Sequence, residues 1–163
     1  TRHSTLFPYT TLFRSDLSND AFEFGRRNAA EMGLRDRMTF IQGDVRDVAP
    51  RIDRRVDIVK AIGIFEYITD EQITGIAHSL SRVMPPGSSI VFNSISLRHG
   101  TDRFFRRVFG LHMIHRSPAQ IQQLLAPAGF ADFDAVAEPL GVYHVVVGRM
   151  GGNGRGHSTG KAP

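Results

Sequence analysis

Residues 57–67 read D-I-V-K-A-I-G-I-F-E-Y, from Asp57 to Tyr67. A charged start, an apolar run rich in Ile and Val, then Gly63 and an aromatic–acidic–aromatic end predict a strand from Val56 to about Ile64, buried on both faces. Strands of that kind lie inside parallel sheets covered by helices on both sides. Residues just past the carboxyl end of such a strand sit where open α/β sheets bind ligands.

Outward from this run, helix and strand signals alternate. Thr69 with Gln72 forms a capping box, and Ile73, Ile76, Ala77, Leu80 and Val83 recur at helical spacing until Pro85-Pro86-Gly87. Ser89–Ile95 reads as the next strand. Ser117, Pro118 and Gln120 repeat the start signal, Ile121, Leu124, Leu125 and Ala128 supply a buried face, and Gly129 ends that helix. Phe130 to about Ala137 and Val142–Val147 read as a closing antiparallel pair. Towards the amino terminus, Arg46–Arg55 is polar and contains Pro50, so a loop or short helix is expected. Met38–Ile41 is a short strand ending in Gly43-Asp44. Ser18 and Asn19 cap a helix through Met32, with Phe22, Ala29 and Met32 apolar and Gly33 as its stop. The pattern is α/β, with a mostly parallel sheet and an antiparallel carboxyl-terminal hairpin.

The two ends differ from this body. Thr5–Ser15, T-L-F-P-Y-T-T-L-F-R-S, looks like the in-frame translation of a sequencing-library adapter. Residues 1–15 are therefore expected to be non-native, with residues 16–149 a partial domain; an edge strand at Thr10–Phe13 is the competing reading. Residues 150–163 are Gly-rich and polar, as in a disordered tail.

Apolar content of 41% and charged content of 22% are ordinary for a globular chain of 163 residues. The absence of Cys excludes disulfides, thiolate metal sites and Cys nucleophiles. No apolar run is long enough to span a bilayer, and the amino terminus does not read as a signal peptide, so a cytoplasmic location and no membrane partner are expected. The net charge of +4 reads as an Arg-rich solvated surface before it reads as a nucleic-acid face.

Four features in order now carry a resemblance: Asp16-Leu17-Ser18 before a helix, Gly43-Asp44-Val45 after a short strand, Asp57 opening the run that ends Phe65-Glu66-Tyr67, and Met84-Pro85-Pro86-Gly87 leading into Ile90-Val91-Phe92. From about Asp16 to Arg149 the chain resembles the class I S-adenosylmethionine-dependent methyltransferases, whose Rossmann-like sheet it would share from the end of the second strand onward. Arg116-Ser117-Pro118 and Ala128-Gly129-Phe130 look like that family's closing portion.

The resemblance implies S-adenosyl-L-methionine as cofactor and a small-molecule methyl acceptor, with nucleic acid not expected. It also implies a set of roles. Asp16, with Leu17 beside it, would accept hydrogen bonds from the ribose hydroxyls. Asp44 would accept from the adenine amino group while Val45 packs on the ring. Ala61, Ile62 and Gly63 would pass the methionine part, and Phe65, Glu66, Tyr67 and His144 would face the acceptor. Glu66 is the first candidate for a base or substrate contact; no catalytic residue is assigned and no metal is expected. The same residues have plainer readings: Asp16 and Ser18 as helix-start residues, Asp44 as a turn residue, Phe65 and Tyr67 as core, and Glu66 as a solvated or Arg-paired side chain.

The family's glycine-rich loop and the central strand before it should precede Asp16, where the adapter-like segment stands. Their absence predicts unpaired sheet edges, poor folding and weak cofactor binding. Arg98–Arg116, with Arg103, Arg106 and Arg107 among Phe104, Phe105, Val108 and Phe109, reads as an amphipathic lid with its apolar residues inward. His112 and His115 lack a third ligand and read as surface histidines. Two other readings stay open: a fragment of a NAD(P)-binding Rossmann oxidoreductase, in which Asp16 holds the ribose, and a non-catalytic methyltransferase-like scaffold.

Overall fold

The computed structural model describes residues 12–97 and 100–152. Most of the adapter-like segment and the tail from residue 153 lie outside them. The chain divides after Ile52 into two compact units, whereas one domain over residues 16–149 was expected. The division follows the hydrogen bonding: among the described residues no strand of the first unit pairs with a strand of the second.

The first unit holds strand β1 (Leu12–Asp16), helix α1 (Asn19–Glu31), strand β2 (Met38–Gln42) and the single turn α2 (Val45–Val48). The two strands are parallel, with Asp16 opposite Gln42. Strand β1 overlaps the competing strand reading of Thr10–Phe13 at Leu12 and Phe13. Five residues with few strand breakers can pair whatever their origin, because a ladder uses backbone groups that nearly every residue carries. Helix α1 starts as expected, with the Ser18 hydroxyl accepting from Ala21 N. Phe22, Gly25 and Ala29 are its buried residues, and Phe22 meets Phe40 edge to face. Met32 is 72% exposed rather than buried, because the helix has ended one residue before it.

The second unit is built on strands β3 (Ile58–Ala61), β4 (Ser89–Ile95), β5 (Phe130–Ala137) and β6 (Tyr143–Met150), in the order β3-β4-β6-β5. Strand β3 is parallel to β4, and β6 runs against both β4 and β5. Only β6 therefore opposes the direction of its sheet. Helix α3 (Asp70–Ser81) and helix α5 (Pro118–Leu125) start in the two expected capping boxes. Ile73, Ala77, Ile121 and Leu125, all nearly fully buried, join Ile90, Phe92 and Val146 in the core.

That core lies on one face of the sheet. The register puts Ala61, Phe92, Val146 and Ala135 side by side, with Ile58, Val145 and Val136 on the other face. There Ile58 is 69% exposed and Val136 71%. The run that opened the sequence analysis is thus a four-residue strand covered on one face, not a nine-residue strand buried on both. Its turn comes early because Gly63 takes φ +74, a conformation that no strand continues. Strand β6 extends past the predicted end of Val147 to Met150.

Helix α4 (Thr101–Phe109) forms in the predicted lid segment between left-handed Gly100 and Gly110. Its apolar residues do not turn inward: Phe104 is 54% exposed, Val108 59% and Phe109 60%. The rings of Phe104, Phe105 and Phe109 instead lie within about 6 Å of one another. Among the described residues no helix is long and apolar enough to cross a membrane.

Candidate functional site

In the first unit the parallel pairing of β1 and β2 brings two carboxylates to the same end of one small sheet. Asp16 closes β1 and Asp44 follows β2 by two residues. The turns are joined directly, since Gly43 N donates to Asp16 O at 3.0 Å. Asp16 Oδ1 accepts from Ser18 N at 3.0 Å, and Oδ2 stands 3.7 Å from Arg14. Its helix-start role is therefore real, and it leaves one carboxylate oxygen with only a long, half-exposed ion pair. Leu17 is 72% exposed, and Val45 is half-buried at the first position of α2.

Asp44 is held more tightly. Its side chain caps α2 by accepting from Arg46 N at 2.8 Å and also receives both Nε and Nη2 of the same Arg46, at 3.0 and 2.6 Å. This two-point hydrogen bond to Arg46, foremost, holds the carboxyl below the usual aspartate range; burial opposes it, and the remaining backbone bond and charge reinforce it.

In the second unit Ala61 is buried at the end of β3, Ile62 is half-buried and Gly63 faces open space. Phe65 is fully buried against Phe92 as a core residue. Glu66 is buried, and among the described residues it is not Arg-paired: Oε1 accepts from Asn93 Nδ2 at 3.3 Å, and Oε2 has no hydrogen-bond partner there. Tyr67 is half-exposed beside it.

His144 and Tyr143 point to opposite faces of β6, with His144 opposite Ser94 and Tyr143 opposite Ile95. The neighbour of Glu66 is Tyr143. Burial pushes the Tyr143 phenol upward, and the charges of Glu66 and Tyr67 add to that. His144 instead lies near Glu138, and its Nδ1 is buried without a hydrogen-bond partner. Alternation along β6 thus puts His144 on the opposite face from Tyr143, the residue on which the Glu66 charge acts.

Two further residues went unread in the sequence. Asn93 is 1% exposed, and its Oδ1 accepts from Gly63 N at 2.6 Å. The signal was an amide inside the apolar strand S-I-V-F-N-S-I, since a buried amide needs partners. Arg116, 7% exposed, donates to Phe65 O, Ile68 O and Asp70 Oδ1 at 2.6, 2.8 and 2.7 Å. Ile114 N donates to Glu66 O at 2.7 Å, so residues 114–116 fasten the loop after β3 from outside. A small pocket remains between Phe65, Glu66, Asn93, Ile95, Ile114 and Arg116. His112 is exposed, while His115 is half-buried with Nδ1 3.2 Å from Ile95 O. Among the described residues no group of three or more His, Asp or Glu could hold a metal.

The fold is α/β and Rossmann-like, and it occurs in solved methyltransferases. A possible exported protein from Bordetella parapertussis superposes with a TM-score of 0.72 at 19% identity, over 87% of this chain and 54% of that one. An O-methyltransferase family protein from Burkholderia thailandensis gives 0.71 at 14% identity, over 88% and 45%. Magnesium protoporphyrin IX methyltransferase from Synechocystis, solved with bound S-adenosylhomocysteine, gives 0.62 at 13% identity, over 85% and 63%. The chain thus spans about half the length of the first two. Residues 3–87, more than half of the chain, match the family described as the methyltransferase domain. The chain belongs to this family, the class I S-adenosylmethionine-dependent methyltransferases. No curated protein matches it in sequence.

Proposed function

We propose that this chain is part of an enzyme that transfers a methyl group from S-adenosyl-L-methionine to a small-molecule acceptor. The observation that carries the reading is the pair of carboxylates, Asp16 and Asp44, at the same end of adjacent parallel strands within the stretch that matches the family. Adjacent acceptors suit the ribose hydroxyls and the adenine amino group of one nucleoside. Asp16 fits because Oδ2 has only the distant Arg14, and Asp44 fits through the lone pairs that Arg46 leaves. Val45 would pack on the adenine. Leu17 would flank the ribose; for Ala61, Ile62 and Gly63 of the second unit, the place along the methionine part rests on the family resemblance, and Gly63 has open space around it.

The cofactor supplies an activated methyl on a sulfonium, so the protein's task is to align the acceptor and exclude water. Glu66 is the acceptor's contact. Its Oε2 can take a hydrogen bond from an O–H or N–H group and, where that group must lose a proton, receive the proton as general base. Phe65 shapes the wall from the core, and Tyr67 stands at the rim. His144 is a more distant contact than its position in the sequence suggests. We also propose that residues 1–15 are foreign to the domain and that their presence weakens cofactor binding.

The test is a calorimetric titration with S-adenosylmethionine. It compares the chain as it stands with a form whose residues 1–15 are replaced by the sequence encoded upstream in the source DNA. Binding by the second form, weakened about ten-fold or more by Asp16→Asn, is expected from the loss of hydrogen bonds to a charged acceptor. Asp16→Asn keeps the Oδ1 acceptor for Ser18 N, so the helix start survives. Tight binding by the chain as it stands contradicts the proposed defect. No binding by a well-folded second form removes the methyltransferase activity and returns the oxidoreductase and scaffold readings.

A further inference from the structure

Asn93 lies on β4 between Phe92 and Ser94, opposite Val145 of β6, on the sheet face that is otherwise exposed. Burying an amide without partners is costly, and Asn93 is almost completely buried. Both ends of its amide are engaged by segments far away in sequence. Gly63 N can only donate, so the atom it meets at 2.6 Å must be the oxygen, Oδ1. The nitrogen is thereby turned to Glu66, whose Oε1 it meets at 3.3 Å. The backbone of one turn thus dictates which way the amide faces the carboxylate.

We propose that Asn93 is a positioning residue which locks the Gly63 turn and the Glu66 carboxylate into one arrangement. This inference rests on the reading that places Gly63 beside the cofactor and Glu66 beside the acceptor. Asn93 touches neither ligand in it. With Oε1 tied to Asn93, Oε2 is the oxygen left for the acceptor, at a fixed offset from the turn. The bond polarity runs in one direction: Gly63 N–H to Asn93 oxygen, then Asn93 N–H to Glu66 oxygen.

Polarity can be tested without altering shape, since Asn and Asp, and Gln and Glu, are close to isosteric. Asn93→Asp still accepts from Gly63 N but sets two carboxylates against each other. Glu66→Gln alone keeps an oxygen for Asn93 Nδ2. In the double variant N93D/E66Q the amide introduced at position 66 donates back to the carboxylate introduced at position 93, restoring the network with one link reversed. We expect Gly63 amide exchange, read by NMR in the cofactor-free protein, to speed up about ten-fold in Asn93→Asp. It should stay near the parent rate in Glu66→Gln and return to within about three-fold of the parent in the double variant. S-adenosylhomocysteine affinity across the four forms should follow the same order.

Equal exchange in all four, or a double variant no better than Asn93→Asp, overturns the positioning role. So does an affinity that is flat across the four. The affinities are measured with residues 1–15 replaced by the upstream sequence in all four forms; absence of S-adenosylhomocysteine binding in that parent, with the exchange pattern intact, overturns the methyltransferase reading and with it any role of Asn93 towards that cofactor.

Discussion

Asp44 shows how one residue can serve a local structure and still be a candidate ligand. Its carboxylate caps α2 and grips Arg46, which leaves the folded-state proton affinity lower than that of a free aspartate. A carboxyl whose affinity is depressed on folding contributes stability that is fully present above the ordinary value, given as 3.8, and is lost as pH falls through the folded value below it. Urea denaturation of the parent and Asp44→Asn, repeated from neutral pH downward, should therefore show a gap that is steady at about pH 6–7. The gap should narrow as pH falls below the ordinary aspartate value. A gap independent of pH would remove the ion pair as its cause. Asp44 and Asp16 were legible from the sequence because short polar residues after strands are local signals. Asn93, Tyr143 and Arg116 were not, since each matters through a partner dozens of residues away.

Elements bounded by caps were read well, because a cap is written within four consecutive residues. Helix α3 begins where Thr69 Oγ1 accepts from Gln72 N while Gln72 Oε1 accepts from Thr69 N. Thr69→Ala removes the first of these bonds and should cost about 1 kcal/mol in chemical denaturation. An undiminished midpoint would show that α3 is held by packing of Ile73, Ala77 and Leu80 alone. Elements whose state depends on what surrounds them were read less well. Strand β3 was expected to be long and doubly covered, yet Ile58 lies 69% exposed. Helix α4 has the periodicity of a lid, but its apolar residues stack on each other rather than on the sheet. Periodicity reports that a face is apolar; it does not say what covers that face.

Across the whole molecule the division after Ile52 has a thermodynamic consequence. Two units with separate sheets need not unfold together, and a single two-state transition is then not expected. Tyr67 and Tyr143 belong to the second unit and Tyr9 to the first, so in a Tyr9→Phe variant tyrosine emission follows the second unit alone, whereas far-ultraviolet circular dichroism reports helices of both. Urea transitions followed by tyrosine emission and by circular dichroism should fail to coincide; coincident curves would show that the units unfold as one.

The sequence by itself determined the order of elements, the two capping boxes, the closing hairpin and the resemblance to the methyltransferases. Those signals are local or additive along the chain, so no partner is needed to read them. Only the tertiary structure decided which sheet face is covered, which faces of β6 Tyr143 and His144 take, and that Asn93 joins Gly63 to Glu66. Those outcomes depend on register and on contacts between distant segments, where a shift of one residue reverses the face a side chain presents.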